Sequence, residues 1–337
     1  RRSSDLLQLD DNQLSGVIPA SLGGLGNLIG LRLSHNQLTG PIPAELGDLS
    51  SLVFLHLWDN HLAGVIPPTL GQLANLEELF LSQNRLTGAI PKELGSLAML
   101  RAFHVAGNQL VGELPSSLAS LTALANGWGL DLRWNGLWTT SSSLRDFCTL
   151  KGGNWSGSQT VAPTGVQASA ATDRTVKVSW TRIAFTDGSG GYRVLYSLAP
   201  GGPFTLAGTT QGKLTTDLTV TGLVPGSTYH FVVETRTEPH DFNQNAVVSA
   251  RSNVVSLATT GQPQSAILPG IARQCGQNNT TWRSEGVMTN PLATATNVLL
   301  EIVPRDGSTA VARRAYDLAP GQVVQVTDLY TELDGQR

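Results

Sequence analysis

An asparagine recurs every 24 residues along the first third of the chain, at Asn12, Asn36, Asn60, Asn84 and Asn108. One pattern surrounds it: "LIGLRLSHNQLTGPIPAELGDLSS", "LVFLHLWDNHLAGVIPPTLGQLAN", "LEELFLSQNRLTGAIPKELGSLAM" and "LRAFHVAGNQLVGELPSSLASLTA". So many fixed positions over five copies mean that one supersecondary unit repeats. Apolar residues two apart, such as Leu55 and Leu57, have the period of a short strand with one buried face. Gly64 and Pro67 of the following "GVIP" shape an extended turn that cannot continue a helix. Leu70 and Leu73 then have the spacing of a single helical or 3₁₀ turn. No single unit can bury its own leucines, so stacked copies must share a continuous core.

This pattern resembles the plant-type leucine-rich repeat, and the resemblance covers residues 5–138. It implies a solenoid whose short strands form a concave parallel sheet. It also implies that the asparagine side chains satisfy backbone groups at the strand ends. That structural ladder falls on Asn12, Asn36, Asn60, Asn84, Asn108 and, after a three-residue insertion, Asn135 in "LDLRWNGL".

The stretch "LHLWDNHL" at 55–62 at first suggests a metal or acid–base site in His56, Asp59 and His61. Within the repeat, Leu55, Leu57, Asn60 and Leu62 become core. His56 and Trp58 alternate outward onto the concave face, and His61 falls beyond the strand end. Two outward columns run Gln8, Arg32, His56, Phe80, His104, Asp131 and Asp10, Ser34, Trp58, Ser82, Ala106, Arg133. His56 and His104 stand two repeats apart, roughly 9–10 Å at ordinary strand spacing, too far to share a zinc ion. Phe54, His56, Trp58, Glu78, Phe80 and His104 form the candidate ligand-binding patch. The competing expectation is solvated variation, with the aromatics only strengthening strands.

The repeats end in "TSSSLRDFCTLKGG", where Ser/Thr precede Leu144, Phe147 and Cys148 at helical spacing and Gly152 follows. This predicts a short helix that caps the solenoid. Cys148 is expected as a buried hydrophobe, and Cys148 and Cys275 as unpaired thiols in different domains.

After a linker-like "SGSQTVAPTG" the pattern changes to short alternating strands such as "TVKVSW" and "YHFVVETR". Turn clusters separate them, as in a β-sandwich. Leu223, Pro225, Gly226 and Tyr229 in "GLVPGSTYHF" match the tyrosine corner of fibronectin type III domains, which this segment resembles, with Trp180 and Tyr229 as core markers. The loop "EPHDFNQNAVVSARSN" carries no Arg-Gly-Asp, and its His240 and Asp241 are expected to be a solvated pair.

The expected fold is therefore multidomain: a leucine-rich-repeat solenoid (α/β, with a parallel concave sheet), then an all-β fibronectin type III sandwich and a partial β-sandwich-like unit. The boundaries are 1–138 for the repeats, 139–157 for the cap, 158–162 and 261–265 for linkers, 163–260 for the fibronectin module and 266–337 for an incomplete β-rich domain. The combination resembles secreted bacterial proteins, notably acidobacterial ones.

Charged residues are 14% of the 337 and net charge is −3, without the Lys/Arg clusters that nucleic acid binding requires. No apolar run is long enough to span a bilayer. The chain opens inside a repeat and reads as a fragment. No GxSxG or HExxH occurs, and "GTTQGKLT" places Leu214 where a phosphate-binding loop needs Ser or Thr after Lys213. No cofactor or metal is expected. The functional expectation is an extracellular, non-enzymatic protein that binds a protein, peptide or glycan on the concave face. An accessory fragment of a larger secreted enzyme and a ligand-free spacer remain open.

Overall fold

The computed structural model describes residues 5–261 and, beyond them, the backbone of four strands. Each repeat contributes one strand to each of two six-stranded parallel sheets. The inner strands are Leu6–Gln8, Gly30–Arg32, Phe54–His56, Glu78–Phe80, Ala102–His104 and Leu130–Asp131, stacked in chain order. The outer sheet begins with Ser15–Val17 and ends with Gly136–Trp138. Between an outer strand and the next inner strand, the "PxxLGxL" segment forms a 3₁₀ helix, as at Pro68–Gln72 and Lys92–Ser96.

The leucines explain the stacking. Leu55, Leu57, Leu62, Leu70, Leu73 and Leu76 of one repeat are all fully buried, in a core continuous with the neighbouring repeats. Full burial of a leucine contributes about 1.5–3 kcal/mol. The 3₁₀ glycine sets how close the coils come: a Cβ on Gly47 would lie 2.5 Å from the Thr69 carbonyl oxygen, and one on Gly95 2.5 Å from that of Ser117. In the fifth copy Ala119 takes this place. That coil is followed by an α-helix and not by another 3₁₀ turn, so the glycine constraint lapses.

Asn60 forms one rung of the ladder. Its Oδ1 accepts from Leu38 N–H at 2.9 Å, while its Nδ2 donates to the carbonyls of Leu33 at 3.0 Å and Leu57 at 3.2 Å. Asn36, Asn84, Asn108 and Asn135 make the same contacts one repeat along. Asn12 is exposed, and its Nδ2 donates to Leu9 and Asp10 of its own turn. The residue before each asparagine sits at positive φ: Asp11, His35, Asp59, Gln83, Gly107 and Trp134. That left-handed step turns the chain from inner to outer sheet.

The cap helix is Ser142–Gly152, with Ser141 Oγ accepting from Leu144 N–H at 3.2 Å. Cys148 is buried and free, and burial pushes its thiol up to about 12, so it behaves as packing rather than as a reactive thiol. Cys275 lies outside the described residues.

The second unit is a sandwich of a three-stranded sheet (Thr164–Ser169, Val176–Thr181, Asp217–Val220) on a sheet built around Gly190–Ser197 and Thr228–Thr237. Tyr229 is buried and its Oη accepts from Val224 N–H at 2.9 Å, closing the expected corner. Trp180 packs against Tyr192 with ring centroids 5.0 Å apart. In the third unit Gly286–Thr289 pairs with Val323–Val326 and Thr296–Ile302 with Ala312–Leu318, both antiparallel. The remainder of that predicted domain lies outside the described residues.

Asn60→Ala strips donors and acceptors from three buried backbone groups, so chemical denaturation should register a loss of about 3 kcal/mol. Asn12→Ala, at an exposed rung, should cost under about 0.5 kcal/mol. Equal losses at the two positions would refute the load assigned to the ladder.

Candidate functional site

The inner strands pair in register, with Arg32 opposite His56, His56 opposite Phe80, and Phe80 opposite His104. Strand spacing therefore brings the rings to stacking distance. His56 and Phe80 lie 4.5 Å apart between centroids, tilted by 19°, and Phe80 and His104 4.7 Å apart, tilted by 14°. Phe80 thus stands between the two histidines and separates them. The row extends at one end to Phe54, whose ring the Arg32 guanidinium covers at 5.4 Å. At the other end it meets Trp128, which is 58% exposed and which no outward column contains.

His56 points outward onto the concave face, as the strand period suggests, but is only 9% exposed. Phe80 covers one face, and its Nε2 bonds Glu78 Oε2 at 2.8 Å. Burial lowers its pKa, against the raising effect of Glu78, so the ring is neutral at pH 7. His104 Nε2 donates to the Trp128 carbonyl at 2.7 Å, which fixes its ring in the row. Trp58 stands apart from this row. It packs edge-on to His35 at 3.9 Å, and His35 Nδ1 bonds Asp59 Oδ2 at 2.6 Å. Phe54, His56, Glu78, Phe80 and His104 lie on the inner sheet, and Trp58 just beyond the end of the Phe54–His56 strand. His61 opens an outer strand, away from His56. Among the described residues no group of three or more His, Cys, Asp or Glu side chains is placed to hold a metal.

A second structured region has only one local signal in the sequence, the asparagines of "FNQN". The loop at 238–246 of the sandwich lies on the corner of the solenoid. Asn243 Nδ2 donates to the carbonyls of Asn108 at 2.8 Å and Trp134 at 2.7 Å, and Asn245 Nδ2 to that of Asn84 at 2.6 Å. Gln83 Nε2 reaches the Phe242 carbonyl at 2.8 Å, folding over Gly107, where any Cβ would strike it. Trp134 stacks on Phe242 at 4.7 Å and 7°, and Thr160 bonds Thr237 at 2.6 Å. Within this docked loop His240 is half-buried against Phe185 and Phe242, while Asp241 is exposed, as expected. The loop completes the hydrogen bonding of turn carbonyls that no further strand can reach.

Beside this joint, Lys213 is 2% exposed. Its Nζ donates to the Asp187 carbonyl at 2.8 Å and lies 4.2 Å over the Phe185 ring. Burial lowers its pKa from 10.5 to about 8.

Sequence-family comparison agrees with this architecture. The leucine rich repeat model matches residues 5–62 and 51–110, and the fibronectin type III domain model residues 161–249. The chain thus contains both domain types, a solenoid of parallel sheets joined to an antiparallel sandwich. No curated protein sequence matches it. Solved structures that it resembles include the BIR2 ectodomain from Arabidopsis thaliana, 40% identical over 39% of this chain and 68% of that one, with a TM-score of 0.35. The Arabidopsis receptor kinase HAESA, in complex with the peptide hormone IDA and the co-receptor SERK1, is 36% identical over 43% of this chain, with a TM-score of 0.40. The plant peptide hormone receptor RGFR1, in complex with RGF2, is 37% identical over 39% of this chain, with a TM-score of 0.38. The match spans 24% of HAESA and 20% of RGFR1. No helix among the described residues is long and apolar enough to cross a membrane.

Two outcomes are expected. Replacing Asn243 and Asn245 by alanine should free the domains: NMR relaxation should give one rotational correlation time for the wild type and two for the variant. For Lys213, the unfolded chain binds more protons than the folded chain between pH 8 and 10.5, so stability should rise with pH across that window, by up to about 3 kcal/mol. Lys213→Met should abolish the rise, read as the pH dependence of the difference in denaturation midpoints.

Proposed function

We propose that the chain is an extracellular, non-enzymatic recognition protein whose concave sheet binds a peptide or protein segment. The observation that carries this reading is the ring row Phe54–His56–Phe80–His104. His56, Phe80 and His104 stack along the direction of strand pairing and spend ring faces on one another, while Phe54 meets His56 edge-on. What the row offers a ligand is its edges. Ring edges are electropositive and suit carbonyl or carboxylate oxygens, whereas a sugar needs an open ring face. Polypeptide has such oxygens at every residue, and Arg32 and Glu78 flank the row with opposite charges. This favours polypeptide over glycan.

Support for a binding role also comes from the two domain types, which typically act as non-catalytic binding modules. An extracellular location and an origin among secreted bacterial proteins rest on the domain combination and its resemblance, and belong to the same proposal. Trp128 gives the glycan reading its one foothold, because it is the exposed aromatic of the row.

The test is a screen of the whole chain against peptide, protein and glycan arrays, followed by titration of the best hit. Phe80→Ala opens the stack and should weaken a peptide ligand at least tenfold, the effect of about 1.4 kcal/mol. Trp58→Ala should weaken it less. A hit unaffected by either change would remove the concave face from consideration, and a glycan hit lost only with Trp128→Ala would favour the second reading.

A further inference from the structure

The loop at 238–246 docks by one chemical rule, and the solenoid repeats the surface to which that rule applies. The side-chain amide of Asn245 donates to the Asn84 carbonyl at 2.6 Å and to that of Gly107 at 3.4 Å. The amide of Asn243 donates to the carbonyls of Asn108 and Trp134, one coil further on. Each carboxamide thus spans two adjacent coils, and two residues of loop advance by one coil. The carboxamide oxygen is used as well, since Gln109 Nε2 donates to Asn245 Oδ1 at 3.4 Å.

Asn84 and Asn108 are ladder residues, so their main-chain carbonyls recur with the repeat, in a row at about the 4.8 Å strand spacing. The loop covers this row as far as Asn84, and the chain then leaves it for the Val247–Val248 strand. Asn60 and Asn36 continue the row, and among the described residues no hydrogen bond reaches their main-chain carbonyls. Exposure changes at the same boundary: 0% at Asn108 and 2% at Asn84 beneath the loop, 5% at Asn60 and 8% at Asn36 beyond it. Gln37 and His61, both exposed, follow their ladder asparagines as Gln109 follows Asn108.

We propose that the open stretch of this row, at Asn36 and Asn60, binds an extended segment of a partner polypeptide that carries carboxamide side chains at alternate positions. Carbonyl oxygens only accept, so the occupant must donate, and a carboxamide brings two N–H groups and one oxygen. Its two donors meet two coils, as those of Asn243 do, and its oxygen takes a bond from Gln37 as Asn245 takes one from Gln109. Alternation follows from the extended chain, whose side chains return to one face at every second residue. The surface continues an interface that the loop already forms with the same chemistry. It lies beyond the inner strand ends, and its test is independent of the ring row of the concave face.

The experiment uses the whole chain labelled with ¹⁵N, with the backbone amides of Gln37, His61 and Gln109 assigned. The probe is an acetylated and amidated Ser-Asn-Ser-Asn-Ser-Asn-Ser peptide. A peptide with aspartate in place of asparagine has the same shape and no side-chain donor. A third peptide with lysine at those places tests simple attraction to the exposed carboxylate of Asp59. The expected result is a saturable millimolar shift of the Gln37 and His61 amides with the asparagine peptide alone. Because each net hydrogen bond is modest, Gln37→Ala should weaken binding about threefold. In the Asn243→Ala, Asn245→Ala variant the rest of the row is uncovered, and the Gln109 amide should then shift as well. No saturable shift at Gln37 and His61, equal binding of the aspartate or lysine peptide, or wild-type shifts confined to Gln109 would each overturn the proposal.

Discussion

The solenoid depends on the way one asparagine side chain serves two coils. Each strand end leaves carbonyls and an N–H in a buried corner where no helix or sheet can pair them. The Asn60 amide donates to its own coil at Leu57 and to the preceding coil at Leu33, and accepts from Leu38 of that preceding coil, so each interior rung ties its coil to the one before. The leucine core supplies the driving force but not the register, because apolar burial has no direction. The ladder fixes the register, and the register determines what the concave face can be.

From that register follows the stacked row. Because His56, Phe80 and His104 occupy one column at strand spacing, they must stack, and stacking buries His56 far more than its outward position implies. The face thereby exchanges aromatic surface for aromatic edge, which is the basis of the proposed preference for polypeptide over glycan. Trp58, one column over, escapes the row because its neighbours Ser34 and Ser82 have no rings to offer.

Legibility in the sequence varied with the kind of contact. The repeats, the Asn ladder, the cap helix and the tyrosine corner could be read because each rests on residues at fixed separations, so periodicity or a short motif encodes them. The burial of His56 was not legible because strand alternation assigns a side to a residue and says nothing of neighbours on other strands. The docking of the loop at 238–246 was hidden for a stronger reason. Its Asn243 and Asn245 bond residues more than a hundred positions away, such as Trp134 and Asn84, with no period connecting donor to acceptor. Only the run of asparagines in "FNQN" hinted that the loop carries amides for backbone carbonyls.

The sequence by itself determined the coil, its pitch and the two domain types, since those follow from local spacing of leucine, asparagine, glycine and proline. Tertiary structure alone decided that the rings of the concave face consume one another's faces and that the sandwich loop locks onto the solenoid corner. It also brought Trp134 and Phe242 face to face at their junction. These features depend on side chains meeting across long stretches of chain, where packing geometry, not sequence order, chooses the partner.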